Sequence, residues 1–276
     1  MKSLTSKSIK LLKDLVTLFE ENEKDLTDVP DEAVKLFGYS CLANSLMFKE
    51  PPIPKHETKS IEDYIKTHTF STVDSLCSYI ATIKDDLDKL YAIFCWAALN
   101  IEYDTESYFS HNIKGTSLEE VFKTKKAVCE GYALFFKEMA KRVSLDTERI
   151  NVVSYSNYAK GYSFKPLEPP PTLKSNHASV YIKIDGVPFI SEPTWGAGHL
   201  GSDKTFKCQF DSKYFLIPVY KTLNDHFPCE EAAKLIPFKL SYEDYLKSMK
   251  THPLKHNIKT ETNPFVKIDC KDGYLE

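Results

Sequence analysis

The sequence has no C-x-x-C pair, no apolar stretch long enough to cross a membrane and no large excess of either charge. Seven cysteines (Cys41, Cys77, Cys95, Cys129, Cys208, Cys229 and Cys270) are odd in number and widely spaced, which argues against a disulfide framework and against a zinc site. A formal charge of −3 over 276 residues, with both signs scattered, offers no basic stripe for nucleic acid. The N-terminus MKSLTSKSIKLLKDLVTLFEENEKD carries Ile9, Leu12, Leu15, Val16 and Phe19 at helical spacing, with Lys7, Lys10 and Lys13 on the other side. It reads as an amphipathic helix, without the unbroken apolar run and small-residue cleavage site of a secretory signal. A soluble cytoplasmic protein, with no membrane span and no nucleic-acid partner, is the expectation. What is present fits it, since 42% hydrophobic and 27% charged residues are ordinary for a globular chain.

No internal repeat is visible. KEPPIPKHE divides an N-terminal helical extension, residues 1–50, from the rest, with residues 51–59 as a proline-rich linker. A core is expected over 60–228, followed by a C-terminal helix and a partial β segment over 229–276 that either pairs with the main sheet or begins a further domain. Within the core, helical signals come first. DDLDKLYAIFCWAALNIEYD places Leu87, Leu90, Ile93, Phe94 and Ala97 on one stripe and should end near Asn100. Ser117 and Glu120 form a capping-box pattern at the start of a short helix. Strand signals follow in NVVSYS, HASVYIKI, VPFIS and KYFLIP, with Asp185-Gly186 as a tight turn. Helices before strands predict an α+β fold with a helical layer on an antiparallel sheet. SFKPLEPPPTLKSN, with its P-x-x-P element, is either a stiff connector or a ligand for an SH3-type domain.

In KKAVCEGYALFF a cysteine directly precedes a helix whose Ala133, Phe136, Ala140 and Val143 form one apolar stripe, with Cys129 on the same side. Free N–H groups and the dipole at a helix start lower a thiol pKa, and Lys125 and Lys126 add positive charge nearby. Gly131 allows a close backbone approach, at about 1 kcal/mol of helix propensity relative to Ala. Free cysteine is also commonly a small buried apolar side chain, so position alone leaves both readings open. A base decides the matter, and the register supplies a candidate. With Asp185-Gly186 as a two-residue hairpin turn, Ile184 faces Val187, Ile182 faces Phe189, Val180 faces Ser191 and Ser179 faces Glu192. Period two then puts His177, Ser179 and Glu192 on one face, with Glu192 diagonal to His177 and able to orient its ring. Val180, Ile182, Ile184, Val187 and Phe189 fall on the opposite, apolar face. His252 and His256 have the spacing of helix-borne metal ligands, but Pro253 between them breaks the helix; neither a metal nor another cofactor is expected. Trp195 and the nearby glycines shape the turn beyond the acid.

AVCEGYALFF, NHASVYIKIDG and EPTWGAG, in this order, resemble the transglutaminase-like superfamily of cysteine enzymes. IFCWAALNIEYDTESYF and FDSKYFLIPVYKTLNDHFP resemble more narrowly the kyphoscoliosis peptidase group, which includes hillarin-type cytoskeletal proteins. The resemblance runs from about Ser71 to Pro228. It implies a papain-like α+β fold, Cys129 as nucleophile, His177 as base, and Glu192 as third member where the family typically has Asp. Ser179 stands where many relatives carry a tryptophan, which implies a more open wall. The implied function is a cysteine hydrolase of peptidase or amidase type acting on protein or peptide substrates through a thioester. The alternative is an inactive scaffold associated with the cytoskeleton.

Overall fold

A computed structural model describes residues 54–113, 117–162, 174–222 and 225–229, together with Tyr242 and Tyr245. The expected N-terminal extension, most of the proline-rich loop, the C-terminal β segment, and His252 and His256 lie outside these residues. Three helices come first: α1 (Lys59–Thr67), α2 (Val73–Ala81) and α3 (Asp86–Asn100). Thr72 and Ser75 close a reciprocal capping box at the start of α2, satisfying two N–H groups that a helix start leaves open. Asp85 caps α3 through the N–H groups of Leu87 and Asp88, and Asp86 and Asp88 lie in its first turn, where negative charge is favoured.

The α3 helix ends at Asn100, where the sequence places its end, but a single core stripe understates its burial. Tyr91, Ala92, Cys95, Trp96 and Ala98 are buried together with the striped residues Leu90, Ile93, Phe94 and Ala97, whereas Leu87 is only partly so. The cause is a position at the centre of the helical layer, with α1, α2, the helix that begins at Cys129 and a short helix after the sheet strands, Pro193–Ala197, all packed on α3. Trp96 shows the effect, its ring stacked on Phe122 and on Phe135 at centroid distances of 4.8 Å in both cases.

After α3 the chain forms β1 (Glu102–Tyr103), α4 (Thr105–Ser110), α5 (Leu118–Thr124) and β2 (Lys126–Ala127). Ser117 accepts the Glu120 N–H as the cap of α5. β1 and β2 pair in parallel and lead directly into α6 (Cys129–Arg142). The strands β3 (Ile150–Ala159), β4 (His177–Ile184) and β5 (Val187–Ser191) follow. Next come α7 (Pro193–Ala197), the small hairpin β6 (Gly198–Leu200) and β7 (Phe206–Cys208), β8 (Ile217–Pro218), α8 (Val219–Thr222) and β9 (His226–Pro228).

The main sheet has the order β8-β5-β4-β3-β9 with every neighbouring pair antiparallel. Asp185 and Gly186 both have positive φ, 48° and 88°, the conformation of a two-residue primed turn that suits the strand twist. This turn sets the register Ile184–Val187, Ile182–Phe189 and Val180–Ser191. Val180, Ile182, Ile184 and Phe189 are buried, while Val187, beside the turn, is exposed. α6 packs across β4 and β3, giving the α+β arrangement of a helical layer on an antiparallel sheet. KYFLIP contributes less strand than its pattern suggests, because a 3₁₀ turn takes Ser212–Tyr214 and Leu216 sits at φ 50°.

Both ends of the described region touch the core. The His56 ring lies 4.7 Å from Tyr91 and 5.0 Å from Phe215. Tyr245 is buried with Tyr158 and Phe227, and its backbone carbonyl accepts a 2.6 Å hydrogen bond from Lys160 Nζ. Among the described residues no helix is long and apolar enough to cross a membrane.

Candidate active site

Cys129 is the first residue of α6, and its placement is built from both sides. Upstream, the β1–β2 pairing and the 2.9 Å bond from Asp104 N–H to the Ala127 carbonyl fix the approach to the helix. Downstream, the first turn folds back so tightly that a Cβ at residue 131 would lie 2.7 Å from Ala127 Cβ. Gly131 is there because nothing larger fits. Tyr132 then ties the same turn to α3, its hydroxyl donating to the Ile101 carbonyl. Val128, the N-cap, gives the helix no side-chain cap, so its free N–H groups face the sulfur's surroundings.

His177 is the first residue of β4, opposite Asn157 of β3. Glu192 follows β5 as the N-cap of α7, so the expected Ser179–Glu192 pairing is made by side chains rather than by the ladder. His177 Nε2 lies 2.8 Å from Glu192 Oε2, and Ser179 Oγ donates to Glu192 Oε1. His177 is also hydrogen-bonded to the Cys129 thiol. Glu192 is wholly buried and His177 nearly so, whereas Cys129 retains partial exposure. Of the three, Cys129 is the most exposed.

The electrostatics follow from this order. Burial raises the Cys129 pKa, but the hydrogen bond and charge of His177, with the backbone groups of Ala178 and Glu130, outweigh it and the net shift is downward. Burial would lower the His177 pKa, yet the Glu192 charge and the hydrogen bonds to Cys129 and Glu192 raise it to about 10. Burial also raises Glu192, and the charges of His177 and His226 reverse that and take it down to about 2. The arrangement favours a thiolate, an imidazolium and a carboxylate in line. Cys95 is the contrast: fully buried in α3, its thiol is pushed up by desolvation. Lys125, expected to add to the field, instead lies over the Trp96 and Phe122 rings, 3.9 and 3.8 Å from their centroids. The imidazole, rather than the lysines, carries the effect.

Three neighbours were not assigned to the site from sequence. His226 of β9 brings Nε2 to 3.2 Å from Glu192 Oε1, so the acid is held between two imidazoles. Its position comes from the pairing of Ala159 with His226, a contact between segments distant in sequence; the only local signal was its place in NDHFP. Asn157 donates to Ser179 Oγ at 2.6 Å, extending the network behind the acid. The Trp195 ring sits 4.5 Å from His226 and 5.7 Å from His177, so it borders the imidazoles as well as the turn. Ser179, expected to leave an open wall, is buried and supports the carboxylate. The donor atoms of His177, Glu192 and His226 lie within 4.8 Å of one another, a cluster that can hold a divalent ion and that the sequence reading did not anticipate.

Residues 74–188 match the family described as the transglutaminase-like superfamily. The chain contains a transglutaminase-like domain. The matched stretch of that domain includes Cys129 and His177 and stops short of Glu192. Among curated proteins the chain is similar to kyphoscoliosis peptidase of Mus musculus, 25% identical over 165 residues covering 59% of this chain and 24% of the relative. It is similar to kyphoscoliosis peptidase of Homo sapiens at 24% over 144 residues, covering 52% and 21%. It is also similar to Lim and transglutaminase domain protein ltd-1 of Caenorhabditis elegans at 26% over 218 residues, covering 69% and 29%. The chain therefore spans about a quarter of the length of the curated relatives it matches.

Proposed function

We propose that this chain is a cysteine hydrolase of peptidase or amidase type, with Cys129 as nucleophile, His177 as acid and base, and Glu192 as the group that orients and charges the imidazole. The observation that carries the reading is the hydrogen-bonded line from thiol to imidazole to buried carboxylate, with the thiol pKa lowered and the imidazole pKa raised. The Cys129 thiolate attacks a carboxamide carbon, the His177 imidazolium passes its proton to the departing amine, and a thioester forms. Neutral His177 then takes a proton from water as the oxygen attacks the thioester carbon, and the C–S bond breaks to release the carboxylic acid and return Cys129 as a thiolate beside the His177 imidazolium. Glutamate in place of aspartate is accommodated because Glu192 starts at a helix cap rather than within the strand, which gives its longer side chain room to end 2.8 Å from the ring.

The substrates on this reading are proteins or peptides, and the site of action is the cytoplasm. A cytoskeletal association rests on the resemblance to the kyphoscoliosis peptidase group. The test is mass spectrometry of casein and glutamine-containing peptides incubated with the wild-type protein and with Cys129→Ala. Hydrolysed peptide or side-chain amide bonds that disappear in the variant support the reading. An intact domain with no turnover on any of them supports the scaffold alternative instead, and amine incorporation in place of hydrolysis makes it a transamidase.

A further inference from the structure

We propose that the cleft beside His177 is the binding site for an aromatic side chain of a peptide substrate, seated next to the carbonyl that Cys129 attacks. This rests on the hydrolase reading and extends it to substrate class. The cleft has a volume of about 320 Å³, at the lower end of the range of small-molecule pockets and suited to one bulky side chain with its flanking backbone. Its walls include Tyr103, Tyr108, Trp195, Leu200, Phe206 and Tyr214. Several of these rings already meet one another at an angle: Tyr103 and Tyr108 are edge-on at 5.6 Å, and Trp195 and Tyr214 at 6.1 Å. An incoming ring completes the same kind of offset contact without rearranging them.

The polar groups point the same way. Among the described residues neither lysine nor arginine lines the cleft, and Asp211 is its only carboxylate, already accepting the Lys213 backbone N–H at 3.1 Å. An acidic side chain would find there only an imidazolium, His177, already paired with Glu192, and a basic one only an acid that is already engaged. Thr194 lines the cleft, is buried to 7% exposure, and its hydroxyl has no hydrogen-bond partner among the described residues. A buried hydroxyl in that state is costly unless a ligand group meets it, and the peptide group beside a seated side chain is such a partner. Trp195 joins the two regions, lining the cleft while its ring lies 5.7 Å from that of His177.

The experiment measures binding in the Cys129→Ala protein, so that turnover does not enter. N-acetylated, C-amidated Ala-X-Ala peptides with X as Phe, Leu, Lys or Glu are titrated calorimetrically and by tryptophan fluorescence. Of the two tryptophans, Trp96 is buried in the core and Trp195 lines the cleft. The Phe peptide is expected to bind at least about tenfold more tightly than the Lys and Glu peptides, with a Trp195 signal. Phe206→Ala and Thr194→Val, made in the same background, should each weaken it several-fold, the latter without lowering Tm because it removes an unpaired buried hydroxyl. Equal affinity for Phe and Glu, tightest binding of Lys, or indifference to both variants overturns the proposal. Wild-type hydrolysis measured in parallel separates the two claims. Aromatic preference in binding without cleavage overturns the hydrolase reading and leaves the cleft assignment standing; cleavage without aromatic preference does the reverse.

Discussion

Replacing Glu192 by glutamine removes one charge and keeps nearly the same shape, so it isolates what the buried carboxylate contributes. The carboxylate is wholly buried, 2.8 Å from His177 Nε2 and 3.2 Å from His226 Nε2. Its pKa falls from an ordinary 4.5 to about 2, which at about 1.4 kcal/mol per pKa unit corresponds to about 3 kcal/mol of stability at pH 7. The same figure lies at the lower edge of the roughly 3–5 kcal/mol seen when one partner of a buried ion pair is removed. The folded pKa is depressed, so this stability is fully present above pH 4.5 and is lost as pH falls through about 2. Urea denaturation of wild type and Glu192→Gln at pH 7 and pH 3 should therefore show a gap of about 3 kcal/mol shrinking to about 1 kcal/mol, because at pH 3 the carboxyl of the unfolded chain is protonated while the folded one is still largely ionised. A gap that stays constant between the two pH values, or no gap at pH 7, would refute the idea that Glu192 is an ionised partner of the imidazoles.

Other substitutions test the frame around the site. Gly131→Ala gains about 1 kcal/mol of helix propensity but places a Cβ 2.7 Å from Ala127 Cβ; overpacking of about 1–3 kcal/mol should win, and thermal denaturation should show a lower Tm alongside slower Cys129 alkylation. Tyr245→Ala removes a buried ring packed on Tyr158 and Phe227 and should cost about 3–5 kcal/mol by urea denaturation; a neutral result would mean that this segment does not dock on the core. Asp185→Asn breaks the exposed fork with Arg149, at 3.0 and 2.9 Å, yet should leave the urea midpoint nearly unchanged, since exposed pairs contribute little and asparagine tolerates the positive φ of 48°.

The parts of the site legible in the sequence are those set by local rules. A cysteine ahead of an apolar stripe marks the start of α6, and an Asp-Gly turn with period-two alternation fixes the β4–β5 register that brings His177 and Glu192 together. The parts that were not legible depend on pairing across the chain. His226 reaches Glu192 only because β9 pairs with β3, and no periodicity within NDHFP announces that. Asn157 supports Ser179 through the β3–β4 ladder, where neighbours on adjacent strands meet from positions far apart in sequence. The all-round burial of α3 was hidden for a related reason, because its outer residues are apolar or aromatic only for the sake of several helices that pack on it. Lys125 misled because a lysine near a thiol was read by charge alone; its stem and ammonium lie on aromatic faces, and burial lowers its pKa to about 8.

The central claim is that His177 makes Cys129 a thiolate, and the rate of Cys129 alkylation by iodoacetamide as a function of pH, read peptide by peptide by mass spectrometry, tests it most directly. The account predicts rapid modification of Cys129 at pH 7 in the wild type, ahead of buried Cys95, and in His177→Ala a slow reaction that accelerates only toward the ordinary thiol pKa of about 8.5 or above. Equal pH profiles for wild type and variant, or a Cys129 that resists modification in the folded wild type, would contradict it.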